Sequence, residues 1–362
     1  MPGEYIVSGP IIHGDDFELK EGYVVINGST VKEVGFERCD SEIKGLICPA
    51  FINAHTHVGD SLARDLPYMP LVELVAPPDG LKHRILDAAT RDEISNGIRS
   101  ALLEIKRTGT CHFIDFRESG AAGARLLRGL AGDKATVLGR LAPGDTIGEV
   151  LESGDGVGIS SAGDISAEAL RAIVEKAKKS RKIVGIHAGE LNRKDIKTAI
   201  EIMPDFLVHM THAIGPDIKK AAEGDIPVVV CPRSNAVTGV GLPPIKRMRE
   251  AGITLALGTD NVMLNSPDML REMEWATKIF LHDDAYTLRM ATLNAARLAR
   301  LDKRKGSIMP KKDADLLVFN VDSDTFKSSQ NLLSTMVRRA RPDDISYFIT
   351  EGKVWRNSSK RS

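Results

Sequence analysis

Cysteine is scarce and scattered in this chain. Among 362 residues there are four, Cys39, Cys48, Cys111 and Cys231, with no Cys-x-x-Cys spacing. That argues against a zinc knuckle or a disulfide framework. Cys48, Cys111 and Cys231 lie in or beside apolar runs and read as buried thiols. Net charge is missing too, since Lys plus Arg and Asp plus Glu number 49 each. A balanced chain offers no broad basic surface to nucleic acid or to a membrane, although a ligand the size of a nucleobase needs none. No apolar run reaches transmembrane length, and Met1-Pro2-Gly3-Glu4 does not open a charged-then-apolar leader. The expectation is a soluble cytoplasmic protein. Repeats, low-complexity tracts and long linkers are absent as well. The expected partners are therefore a small molecule and, at most, a second copy of the chain in a homodimer.

What the chain does have is alternation. Short apolar runs at residues 46–54, 111–116, 136–141, 157–159, 183–186, 206–208, 227–230 and 254–257 read as strands. Helical patterns fall between them, as at 167–179, and further helices are expected at 267–281 and 286–301. Eight alternating units favour a closed parallel (β/α)8 barrel, which at about 250 residues is one domain. The two ends differ from this middle. Residues 5–7, 17–19, 23–26 and 31–34, and at the far end 314–319, 345–349 and 353–355, read as strands joined by tight turns such as Asn27-Gly28 and Glu351-Gly352. Neither end could bury a sheet face alone. The organisation expected is a barrel over 49–307 and a small β-sandwich built from 1–48 together with 308–362.

In such a barrel the C-terminal ends of the strands carry the site. The first strand ends in Asn53-Ala54-His55-Thr56-His57, and side chains two residues apart on a strand point the same way. Both imidazoles can therefore face one ion. The fifth strand ends in His187-Ala188-Gly189-Glu190, the sixth in Val208-His209 with His212 soon after, and the eighth in Gly258-Thr259-Asp260. Any one of these could be a satisfied core or capping histidine. Together they place five of the nine histidines, a Glu and an Asp at four strand ends, the side-chain types that bind zinc.

This constellation resembles the amidohydrolase superfamily, more closely its mononuclear deaminase branch, and the resemblance covers nearly the whole chain. Residues 49–57 are similar to that family's first-strand signature, and His187-Ala188-Gly189-Glu190 to its His-x-x-Glu. Leu257-Gly258-Thr259-Asp260 is similar to its last-strand Asp. Cys231-Pro232-Arg233-Ser234-Asn235 and Ala291-Thr292-Leu293-Asn294-Ala295-Ala296 resemble segments of the branch holding adenosylhomocysteine, aminodeoxyfutalosine and triazine aminohydrolases. The resemblance implies that His55, His57, His187 and Asp260 bind one divalent metal, zinc first and iron or manganese as substitutes. It also implies that Glu190 and His209 act beside the ion. Two-metal members carry a lysine on the fourth strand, whereas residues 156–161 contain none.

Hydrolytic deamination suits these residue types. Bound zinc lowers the pKa of water to about 7, Asp260 is placed to take its proton, and Glu190 can hand a proton to a ring nitrogen and help ammonia leave. His209 would polarise the water or the reacting centre. Arg140, at the end of the third strand, and His83, in the 77–83 loop, are the candidate substrate contacts. Ser160-Ser161-Ala162-Gly163 lacks the ribose-contacting histidine motif of adenosyl-compound deaminases, and the loop after His57 lacks their Trp. The expected function is an aminohydrolase acting on an aminated heterocycle, base or nucleoside. Amide-cleaving or dehalogenating chemistry, and a non-catalytic barrel, are the alternatives.

Overall fold

A computed structural model of the chain describes residues 3–76 and 79–356. Two compact units are present, one formed by 1–52, 105–111 and 268–362, the other by 53–104 and 112–267.

The alternating middle forms a parallel sheet whose strands follow one another in sequence order. They are Phe51–His57, Thr110–Arg117, Ala135–Gly139, Gly156–Ile159, Ile183–Ala188, Phe206–His209, Val228–Val230 and Leu255–Leu257. The eighth strand resumes at Asp260–Asn261, which pairs in parallel with the first through Asp260 against Thr56 and Asn261 against His57. The sheet thus closes into an eight-stranded barrel. Every residue of strands one to eight is buried, as a parallel sheet covered on both faces requires. Helices alternate with the strands, and Ala167–Lys179 matches its sequence expectation, with the Ser166 hydroxyl accepting from the Ala169 N–H.

The termini form one mixed sheet. Its order runs Lys353–Arg356, Ile345–Thr350, Leu316–Phe319, Leu46–Pro49, Glu4–His13, Glu18–Asn27, Thr30–Gly35. Leu46–Pro49 is the join, antiparallel to Leu316–Phe319 and parallel to Glu4–His13. Val7, Ile11, Val24, Ile26, Ile47, Leu316, Val318 and Ile349 share one buried cluster drawn from both ends. The helix expected at 286–301 is two, Asp284–Met290 and Leu293–Leu298, because Thr292 leaves helical geometry and turns its hydroxyl to the Leu288 carbonyl at 2.7 Å. Removing residues 308–362 takes away both the strand beside Leu46–Pro49 and five of the eleven buried residues of that cluster. The truncated chain should therefore be cleaved within its first 50 residues by limited proteolysis that leaves the intact chain whole. Protection of that segment in the truncated chain is the contrary result.

Candidate metal centre

The first strand delivers His55 and His57 to the same end of the barrel, both fully or almost fully buried. His55 Nε2 lies 3.1 Å from His187 Nε2 and 3.2 Å from Asp260 Oδ1. His57 Nε2 lies 3.5 Å from the same Asp260 oxygen. His209 joins them, its ring 5.4 Å from that of His187. One donor atom each from His55, His187, His209 and Asp260 falls within 4.8 Å of the others, a three-imidazole, one-carboxylate set fit for a divalent ion. Five donors therefore converge, all from strand ends singled out by sequence.

Local packing explains how the rings are aimed. Phe116 stands edge-on to His55 at 4.6 Å and to His187 at 4.7 Å. It fits only because strands four and five carry glycine opposite it. A Cβ on Gly158 or Gly185 would meet its ring at 2.6 or 2.5 Å. Backbone geometry contributes as well, since His209 and Asp260 both have positive φ, 76° and 62°. Such conformations cost about 1–3 kcal/mol each and persist where surrounding structure enforces them.

The other ring nitrogens of His187 and His57 are held by hydrogen bonds of the kind that fix metal-ligating histidines, while His55 Nδ1 has no hydrogen-bond partner among the described residues. His187 Nδ1 is 2.9 Å from the Ile159 carbonyl. His57 Nδ1 is 3.0 Å from both the Phe116 carbonyl and Glu118 Oε1. Each arrangement puts the proton on Nδ1 and leaves Nε2 as a lone pair facing its neighbours. Burial, then Lys82, push the His57 pKa down to about 3, so the imidazole is neutral as a ligand must be. The helix Pro232–Thr238 supplies two further supports. Ser234 Oγ donates to Asp260 Oδ2 at 2.6 Å, and the Asn235 amide nitrogen lies 3.2 Å from His209 Nδ1. With the amide as donor, His209 carries its proton on Nε2, which faces Glu190 Oε2 at 3.5 Å.

Glu190 follows Gly189, whose φ of +64° turns the chain after strand five back toward the centre. Burial raises the Glu190 pKa, the direction a proton donor needs. It lines a cavity of about 410 Å³ together with His57, His187, His209 and Asp260. Arg140 lines the same cavity and donates to Ser160 Oγ. His83 does not line it. It lies half-buried on the helix Leu81–Ala88, not in a loop, and Pro77 and Pro78 of the expected loop lie outside the described residues. The residue of that turn that enters the cavity is Lys82.

Behind His57 stands a network that sequence reading did not pick out. Glu118, 4% exposed, is ion-paired through Oε1 with Lys82 Nζ at 2.5 Å and through Oε2 with Arg117 Nη2 at 3.0 Å. Burial alone would raise its pKa, but Lys82, Arg117 and His57 overcome that and hold it well below the usual carboxylate range. Asp60 accepts from Asn261 Nδ2 at 2.8 Å and from the Met263 N–H at 3.0 Å, and burial raises its pKa to about 6 against the pull of Lys82. A signal was available: Asp115, Arg117 and Glu118 put charge within and directly after an otherwise apolar run.

The sequence profile described as the amidohydrolase family matches residues 46–355. A protein of Methanothermobacter thermautotrophicus, provisionally assigned as an aminohydrolase, is 34% identical over 96% of this chain and 98% of its own length. A 5-methylthioadenosine/S-adenosylhomocysteine deaminase of Moorella thermoacetica is 28% identical over 96% and 91%. Among solved structures, a zinc-bound adenosine deaminase from Xanthomonas campestris superposes with a TM-score of 0.83 at 21% identity, covering 98% of this chain and 93% of that one. At that identity the superposition speaks to the fold.

Proposed function

The chain belongs to the amidohydrolase family, and from that premise we propose that it is a metal-dependent hydrolytic deaminase releasing ammonia from an aminated heterocycle. The observation that carries this reading is the convergence of four imidazoles, those of His55, His57, His187 and His209, on Asp260 at the end of a cavity that Glu190 also lines. His55, His57, His187 and Asp260 would hold one ion, zinc first, with iron or manganese able to replace it. His57 is preferred to His209 as a ligand because its Nε2 is the lone-pair nitrogen. A divalent ion in that position supplies a Lewis acid that makes water nucleophilic near neutral pH.

The protein's own groups then divide the work. Asp260, steadied through Oδ2 by Ser234, accepts the proton of the attacking water. Glu190 carries a proton to the ring nitrogen, and His209 Nε2–H polarises the carbon centre as it becomes tetrahedral. Water adds to the ring carbon as Glu190 protonates the ring nitrogen. The amino group then takes the proton held by Asp260, the C–N bond breaks and ammonia departs, while the hydroxyl proton of the tetrahedral centre returns to Glu190 and leaves a ring oxo group. Arg140 contacts the substrate from the cavity wall. His83 would contribute through its turn, since it does not line the cavity itself.

The test is an ammonia-release screen of the zinc-loaded chain over purines, pyrimidines, pterins and their nucleosides, with elemental analysis of the same preparation. The expected result is about one ion per chain and turnover on at least one class. Close to two ions per chain would overturn the single-metal arrangement, and no bound ion would favour a scaffold. Chloride release from triazines or cyclic-amide opening without ammonia would move the assignment to another reaction of the family.

A further inference from the structure

Lys82 is the least expected residue in the cavity wall. Its side chain is 2% exposed, on the first turn of the helix Leu81–Ala88, and lysine is rarely buried so completely without a specific use. An ammonium has three donors. Two face carboxylates as ion pairs, Glu118 Oε1 at 2.5 Å and Asp60 Oδ2 at 3.4 Å. The third has no acceptor among the described residues, and Lys82 lines the cavity. Glu118 already has Arg117 on its other oxygen and Arg140 Nη1 at 3.9 Å, so the charge that Lys82 balances is chiefly that of Asp60, which has no other cation at ion-pair distance among the described residues.

Position narrows what the third donor can meet. The Glu118 oxygen that Lys82 holds also accepts from His57 Nδ1 at 3.0 Å, so the ammonium stands one ion pair and one hydrogen bond behind an imidazole of the metal centre. That is the reacting end of the cavity, not its rim. Its charge is felt by Glu190 as well, so Lys82 lies within electrostatic reach of the proton-carrying carboxyl. The same post-strand-one segment supplies an apolar wall of Leu71, Val72 and Val75. Lys82 and this apolar wall line the same cavity, so a flat apolar-faced ring bound there has a buried donor within the same enclosure.

We propose that Lys82 is a specificity-determining residue that donates to an oxygen on the substrate's ring, so that the substrate class is an amino-oxo heterocycle. This rests on the deaminase reading above. A buried donor left without its acceptor penalises rings that lack the oxygen, which is how a polar site discriminates.

The experiment compares wild type, Lys82→Met and Lys82→Arg, all zinc-loaded and full-length. Guanine, isoguanine and cytosine are the ring-oxo probes, and adenine and 2,6-diaminopurine the oxo-free ones. Methylthioadenosine and S-adenosylhomocysteine separate a tail carboxylate from a ring oxygen. Both kcat/KM for ammonia release and calorimetric binding are measured. Wild type should favour ring-oxo probes by tenfold or more, and Lys82→Met should shrink that ratio by about tenfold to a hundredfold, with zinc still near one per chain. Lys82→Arg keeps the charge but not its geometry and should recover only part of the ratio. If Lys82→Met leaves Asp60 uncompensated and the chain unfolds, the double variant Lys82→Met/Asp60→Asn carries the same comparison. Equal loss on both classes would make Lys82 only a counter-ion and overturn the proposal. So would a wild-type preference for oxo-free rings, or one for the carboxylate-bearing tail. If no probe releases ammonia, the deaminase reading alone fails and calorimetry decides: a ring-oxo advantage lost in Lys82→Met sustains the proposal, and no advantage overturns it.

Discussion

Changing His187 to alanine should take the chain from about one zinc ion to a small fraction of one and lower turnover by about 10³-fold or more. The imidazole is fixed by its Nδ1 contact with the Ile159 carbonyl and turns Nε2 toward His55 Nε2 at 3.1 Å. Two such nitrogens and the Asp260 carboxylate crowd together without protons enough to pair them, an arrangement a cation resolves. Loss of one ligand from four removes that match. His57→Ala should behave in the same way, whereas His209→Asn should keep most of the metal and lose activity. Elemental analysis and turnover on the three variants check this together. Metal retained by His57→Ala but lost by His209→Asn would transfer the fourth ligand position to His209, whose donor atom lies within 4.8 Å of those of His55, His187 and Asp260.

The parts of this site legible in sequence are those whose signal is local. His55 and His57 alternate on one strand, Glu190 sits one turn after His187, and each follows a run apolar enough to be a barrel strand. The supporting residues carry weaker local signals. A lysine in a polar stretch reads as surface, and only the fold brings Lys82 to Glu118, 36 positions away. Ser234 and Asn235 could be matched to a family segment, but their work, holding Asp260 and His209, depends on strand seven lying beside strands six and eight. The glycines opposite Phe116 are similar. Gly158 and Gly185 look like ordinary strand residues until the aromatic ring between His55 and His187 is in place.

Glu190→Gln separates proton movement from metal binding. Glutamine keeps the size and hydrogen-bonding reach of the side chain and removes the transferable proton. Glu190 lies 3.5 Å from His209 Nε2 and lines the cavity, while its neighbour three residues earlier, His187, makes the contacts expected of a ligand. Ammonia release should therefore fall by about 10²–10⁴-fold, the usual contribution of a general acid–base group, with metal content unchanged from wild type. The loss should appear in kcat, because the proton transfers belong to the transition state and not to binding. If the variant sheds its metal, Glu190 is a ligand and the coordination set has to be redrawn around it. If it keeps both metal and turnover, Glu190 is a cavity-wall carboxylate and the proton must travel through another titratable group that lines the same cavity, such as His209 or Asp260.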